Sequence, residues 1–168
     1  MNSTLPPPSD ADSGPVSDAT FVPPPSAVVA APFDQLPLPA PVIANLARLG
    51  YHAMTPIQAA SLPVALAGHD LIAQAKTGSG KTAAFAISLL NRLDTRRGDV
   101  QAMVLCPTRE LADQVCQEIR RLARAEANVK VLTLCGGSTM GPQLESLAHG
   151  AHMLAWSSLV FWLSLPKH

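Results

Sequence analysis

Apolar residues along this chain of 168 fall into two kinds of run, short continuous ones and longer ones at helical spacing, and the two alternate. The short runs are Leu71-Ile72-Ala73, Ala102 to Cys106, and residues 129–134. Each is four to eight residues long or shorter and bounded by turn residues, which predicts buried strands. Of the longer runs, Val42, Ile43, Leu46 and Leu49 make one apolar helix face, opened by Pro39 and Pro41 and closed where Gly50 suits a left-handed C-cap. Thr55 as N-cap and Pro56 at the first helical position begin a second helix with Ile57, Ala60 and Leu62, until Pro63 bends or breaks it. A third helix is expected over 81–94. A fourth follows Pro107-Thr108 through about Ala125, with Leu111, Val115, Ile119 and Leu122 toward a core and Arg120, Arg121 and Arg124 near the end where the dipole favours cations. Gln143, Leu144 and Leu147 mark a shorter helix to about Ala148. Strands alternating with helices require crossovers, and crossovers are right-handed. The predicted fold class is therefore α/β, a parallel sheet with helices on both faces, and ligands of such sheets gather at the carboxyl ends of the strands.

One junction in this pattern carries chemistry. Between the first strand and the third helix stand Ala75-Lys76-Thr77-Gly78-Ser79-Gly80-Lys81-Thr82. Gly78 and Gly80 can take backbone angles closed to other residues, so successive N–H groups can turn toward one point, and the helix start adds partial positive charge. Such a concavity suits a polyphosphate, with Lys81 reaching the β- and γ-phosphates and the Thr82 hydroxyl a ligand for magnesium. The common G-x-x-x-x-G-K-[ST] pattern has glycine where this chain has Ala75. The competing structural reading is a glycine-rich turn that merely opens a buried helix.

Composition adds boundaries. Residues 1–32 are rich in Pro, Ser, Ala and Asp, with two triple-proline runs, and are expected to be a disordered tail, either plain linker or a ligand for a proline-recognising domain. The formal net charge of zero conceals three Asp and no Lys or Arg in that tail against a mild basic excess beyond it, which neither demands nor excludes nucleic acid. Cys106, Cys116 and Cys135 lack any C-x-x-C pair and lie among apolar neighbours, so they read as core residues of a cytoplasmic protein without export signal or membrane span.

Taken together, Ala75 to Thr82, Pro107-Thr108-Arg109-Glu110-Leu111-Ala112 further on, and Gly136-Gly137 beyond them resemble the first half of a DEAD-box RNA helicase, a family that tolerates Ala75. Upstream, Gly50-Tyr51-His52-Ala53-Met54-Thr55-Pro56-Ile57-Gln58 is similar to its Q motif, with Phe33 at the expected distance of 17 residues before Gly50. The resemblance covers residues 33–153 and implies a RecA-like P-loop NTPase domain, incomplete at its C-terminal end. It implies ATP and Mg as cofactors, bound by Phe33, Gln58, Ala75, Lys76, Thr77, Gly78, Ser79, Gly80, Lys81 and Thr82. The Gln58 amide would pair with the N6 and N7 edge of adenine and Phe33 would stack on the base, unless it is only a hydrophobic staple. Pro107, Thr108, Arg109, Gly136 and Gly137 would hold an RNA backbone without reading sequence, Glu110 steadying the Arg109 fork. The plainer readings are a surface salt bridge for Arg109 and a simple turn for the glycines. In complete members of the family ATP drives unwinding of short RNA duplexes, here expected to be ribosomal.

The resemblance also has an expected limit. Residues 154–168 depart from the T-P-G-R text that the family places there, which suggests a reading-frame slip or a wrongly joined end. No Asp-Glu-Ala-Asp occurs anywhere in the chain, so the carboxylates that hold magnesium and orient the attacking water are missing. The expectation is therefore nucleotide and RNA binding with little or no hydrolysis.

Overall fold

The computed structural model describes residues 20–21, 31–125, 128–136 and 139–157. Among them, helices α1 (Ala40–Arg48), α2 (Pro56–Leu66), α3 (Lys81–Leu90), α4 (Arg109–Leu122) and α5 (Met140–Ala148) alternate with strands β1 (Thr20–Phe21), β2 (Leu71–Ile72), β3 (Ala102–Cys106), β4 (Val131–Leu134) and β5 (Met153–Ser157). Helix α1 forms as its sequence predicts: Pro39 is its N-cap, Leu46 faces inward and Gly50 sits just past its end at φ +86°. Helix α2 starts at the expected cap, with the Gln58 side chain accepting the Thr55 N–H at 2.9 Å. It does not end at Pro63 but runs on to Leu66. Pro63 is exposed, and Ala59, the residue whose carbonyl loses its helical donor there, is half-buried within reach of water, while Leu62 on the opposite side is fully buried and holds the helix down. Helix α3 stops short of the expected residue 94, and α4 gives way at Ala123–Ala125 to a 3-10 turn.

Strands β3, β5 and β4 form a parallel sheet in that order, with Ala102 paired to Met153 at one end of β3 and Cys106 to Ser157 at the other. Strand β4 lies on the other side of β5, from Val131 beside Met153 to Leu134 beside Trp156. The central strand of this sheet thus includes residues 154–157, which the sequence reading assigned to a departing tail. Their alternation explains the fit. Met153, Ala155 and Ser157 are buried on one face, and Leu154 is buried on the other. Residues 158–168, like most of 1–32, lie outside the described residues.

Strand β2, which leads into the glycine loop, is not part of that sheet. It pairs in parallel with β1, Thr20 against Leu71 and Phe21 against Ile72, where the sequence reading expected one sheet and an unstructured tail. Between β2 and β3 is a cavity of about 650 Å³, lined mostly by apolar side chains. Strands of parallel sheets are ordinarily covered on both faces, yet Leu105 is 75% exposed and Ile72 60%, with Met103 beside them. Leu111 belongs to the same open patch. It was expected in the core, but it lies in the first turn of α4 and turns toward this gap, while Ala112, Val115, Cys116, Ile119 and Leu122 bury the helix.

Helix α4 ties the core together, packing on α3, on α1 and on all three strands of the larger sheet. Leu46, Leu62, Ile87, Ile119 and Met153 are fully buried in this core, and burying each side chain of this size contributes about 1.5–3 kcal/mol. The three cysteines are buried as expected, and burial pushes the Cys106 thiol above its ordinary range, Cys135 adding to the effect. No helix among the described residues is long and apolar enough to cross a membrane.

The open patch makes a measurable prediction. Leu105→Lys should reduce concentration-dependent light scattering and dye binding to exposed apolar surface, while shifting Tm by less than about 2 °C, as for an exposed position. A loss of many degrees would mean that Leu105 is packed in solution.

Candidate functional site

The glycine loop is shaped by two left-handed residues. Gly78 at φ +79° and Gly80 at φ +91° turn the chain between β2 and α3, and Gly80 is also the N-cap of α3. A second requirement for glycine at position 80 comes from packing. A Cβ there would lie 2.5 Å from the Gln58 amide nitrogen and 3.1 Å from the Thr55 hydroxyl. Both side chains press on the loop from α2: Thr55 Oγ1 donates to the Ser79 carbonyl at 2.8 Å, and Gln58 Nε2 donates to the Gly80 carbonyl at 3.1 Å. The α2 N-terminus thus fixes the position and pitch of the loop. Thr55 both begins its helix and braces the loop, as the two tasks do not compete.

Lys81, the first residue of α3, folds its side chain back into the loop. Its ammonium donates to the carbonyls of Ala75 at 2.5 Å and Lys76 at 2.6 Å. A cation therefore occupies the concavity that the loop encloses. The Ser79 hydroxyl is buried there without a hydrogen-bond partner among the described residues. Thr82 follows Lys81 at the rim of the apolar cavity, and Lys76, Thr77 and Gly78 are exposed. These features fit a polyphosphate: a ready cation, a helix start, an unpaired hydroxyl and a backbone that admits no side chain at its closest point. Among the described residues no group of three His, Cys, Asp or Glu could hold a metal by itself.

The two residues expected to meet a base are placed differently from the loop. Gln58 is 0% exposed, with one N–H and one oxygen lone pair already engaged by Gly80 and Thr55. Phe33 is 3% exposed and packs edge-on against Tyr51, ring centroids 6.3 Å apart and planes at 86°. As placed, Phe33 is a core residue under the segment between α1 and α2. Stacking on a base would require its ring to leave that contact.

Pro107, Thr108 and Arg109 lie exposed at the carboxyl end of β3, where α4 begins. Thr108 is the N-cap and accepts the Leu111 N–H at 3.2 Å. The expected pairing of Glu110 with Arg109 is not among the ion pairs of the described residues. The Glu110 carboxylate instead turns back to its own N–H and the Thr108 side chain, which hold it below its ordinary range, Arg109 adding only a weaker attraction. Gly136 follows β4 on the same rim, where Gln143 of α5 holds Cys135 by its N–H at 3.2 Å and its carbonyl at 3.1 Å. Gly137 lies outside the described residues. Because β5 separates the ends of β3 and β4, the Arg109 turn and Gly136 stand about 10 Å apart in the sheet direction, two strand spacings.

A cluster that sequence reasoning missed lies beneath Phe33. The Tyr51 hydroxyl donates to Glu118 Oε1 of α4, the Arg121 guanidinium carbon lies 5.9 Å from the Tyr51 ring centre, and Arg121 Nε is 3.7 Å from Glu118 Oε2. Burial, and then the Glu118 carboxylate, push the Tyr51 phenol up to about 12. The spacing of Glu118 and Arg121, three apart on a helix, was the available signal. Nothing local pointed to Tyr51 as their partner, since 67 residues separate it from Glu118.

Residues 55–159 match the sequence model of the DEAD/DEAH box helicases. The chain is 58% identical over 117 residues to the ATP-dependent RNA helicase DbpA of Escherichia coli, an alignment that covers 70% of this chain and 26% of DbpA. To the DEAD-box ATP-dependent RNA helicase CshA of Streptococcus pneumoniae it is 42% identical over 122 residues, 73% of this chain and 23% of CshA. Its fold superposes on the crystal structure of a DEAD box protein from the hyperthermophile Methanococcus jannaschii with a TM-score of 0.71 and 35% identity, covering 75% of this chain and 34% of that one. The chain thus spans about a quarter of the length of these curated relatives.

Two measurements check the geometry. Gly80→Ala should cost more stability than Gly50→Ala in urea unfolding. Both pay about 1–2 kcal/mol for the left-handed backbone, but a methyl group at Gly50 meets nothing within 4 Å; equal losses would mean that Gln58 yields freely. The chain contains one tyrosine, so absorbance at 295 nm reports Tyr51 alone. Its ionisation should centre near 12. A folded-state value above the unfolded one adds stability below about pH 10 that is lost as pH rises through about 12. Glu118→Gln should lower the midpoint without returning it to 10, because burial is the larger cause.

Proposed function

Because the chain belongs to the DEAD/DEAH box helicase family, we propose that it binds ATP at the glycine loop and a single RNA strand along the carboxyl rim of the larger sheet. The observation that carries this reading is the Lys81 ammonium held inside the loop by the Ala75 and Lys76 carbonyls. A phosphate entering the loop would exchange those two carbonyls for charged oxygens, which form shorter and stronger bonds to an ammonium. Backbone N–H groups of residues 76–82 and the Ser79 hydroxyl would complete the cradle, with Thr82 turned to magnesium. Bound ATP·Mg supplies a phosphoanhydride whose cleavage releases free energy.

Gln58 retains one N–H and one lone pair beyond its present bonds, and these are what would meet the adenine edge. Phe33 would reach the base only after leaving Tyr51, so adenine preference rests mainly on Gln58. Arg109, with Pro107, Thr108 and the Gly136-Gly137 amides, would contact phosphates and sugars, which gives affinity without sequence selection. The sequence resemblance supports ribosomal RNA as the strand, and three cysteines without a C-x-x-C pair support a cytoplasmic setting.

Titration with a fluorescent ATP analogue and magnesium tests the first half. Lys81→Ala should weaken binding about ten- to a hundredfold, the worth of a charged hydrogen bond, and Gln58→Ala should erase the preference for ATP over GTP. For the second half, Arg109→Ala should weaken oligo(U) binding equally across sequences and reduce the salt slope by about one. Unchanged affinities in Lys81→Ala and Arg109→Ala would remove both assignments.

A further inference from the structure

The Tyr51 cluster ties the segment next to one proposed site to the helix that carries the other, and belongs to neither site. On one side, the segment carrying Tyr51 continues within a few residues to Thr55 and Gln58, whose side chains hold the Ser79 and Gly80 carbonyls of the loop. On the other side, Tyr51 grips α4 through Glu118 and Arg121, in the last turns of the 14-residue helix whose first residue is Arg109. A helix of that length moves as a rod. Asn45 adds a second tie, donating to the Leu122 carbonyl at 2.9 Å, but it joins α1 rather than the loop-bearing segment to α4.

We infer that Tyr51 is a positioning residue that links nucleotide occupancy of the loop to the grip of the Arg109 turn on RNA, through its hydroxyl bond to Glu118. This rests on the reading that the loop binds nucleotide and the Arg109 turn binds an RNA backbone. Physically, a phosphate that draws Lys81 out of the Ala75 and Lys76 carbonyls displaces the loop; Thr55 and Gln58 are bonded to its carbonyls and follow, and Tyr51 carries the displacement to α4. A hydroxyl–carboxylate bond transmits such a shift where apolar packing would slip, because its strength falls steeply with distance and angle. Binding at the two sites is then coupled, and the coupling is the same measured from either side.

The experiment measures affinity for a fluorescent ATP analogue with magnesium, with and without saturating oligo(U), in the full chain and in Tyr51→Phe, Glu118→Leu and Glu118→Gln. The wild-type ratio of the two affinities is expected to lie at or above about fivefold, the lower end for coupled sites. Tyr51→Phe and Glu118→Leu should bring it to within twofold of unity while nucleotide affinity without RNA stays within threefold of wild type. Glu118→Gln, which keeps an acceptor oxygen, should retain most of the ratio. A merely structural role would lower stability in Tyr51→Phe and leave the ratio in place; that result overturns the inference, as does a wild-type ratio of one. If the wild type binds both ligands, only the linkage has failed. Should it bind neither, the site assignments fall and the linkage with them.

Discussion

The contact between the start of one helix and the loop before the next governs this structure. Gly80 has no side chain, and so Gln58 and Thr55 can reach the loop's carbonyls; because they reach them, the loop is held open around a cation instead of collapsing onto the end of α3. The two conditions depend on each other. A left-handed residue at the N-cap would be a weak helix start if it stood alone, since it offers no side chain to the free N–H groups. Here the cost is met by neighbours bonding to the carbonyl side, which leaves the N–H side turned toward whatever anion arrives.

Around that contact the chain divides its labour. Helix α4 is the common wall: its buried face serves the larger sheet and α3 at once, and its exposed N-terminus carries Arg109. Electrostatics follow the same plan. Lys76 at the loop and Arg109 at the rim are exposed, whereas Arg120 is tied to the Val131 carbonyl and Arg121 to Tyr51 and Glu118, so these two helix cations near the C-terminus serve the fold.

Much of this was legible before any coordinates. Periodicity located all five helices to within about four residues at each end, and glycine, proline and threonine marked several of those ends, because those signals act within one turn of chain. The loop was legible for the same reason. What escaped was set by distant partners. Residues 153–157 became the middle strand since two edges flank them, which no local pattern states, and Leu111 is exposed since it lies in the first turn of α4 and faces the gap beside β3. Of the two outcomes expected at Pro63, a bend or a break, the break does not occur, and burial of Leu62 outweighs one missing hydrogen bond. For Gln58 and Phe33 the residue types pointed to a base, but the folded chain engages both internally, one under the loop and the other against Tyr51.

Among the described residues, the strand that leads into the glycine loop pairs with β1 and not with the three-stranded sheet, and the two parts meet chiefly where α3 packs on α4. Side-chain contacts give way one at a time, whereas a ladder must be unzipped. Amide exchange in β2, which has a single two-residue partner, can thus run ahead of that in β5, paired on both sides, without global unfolding.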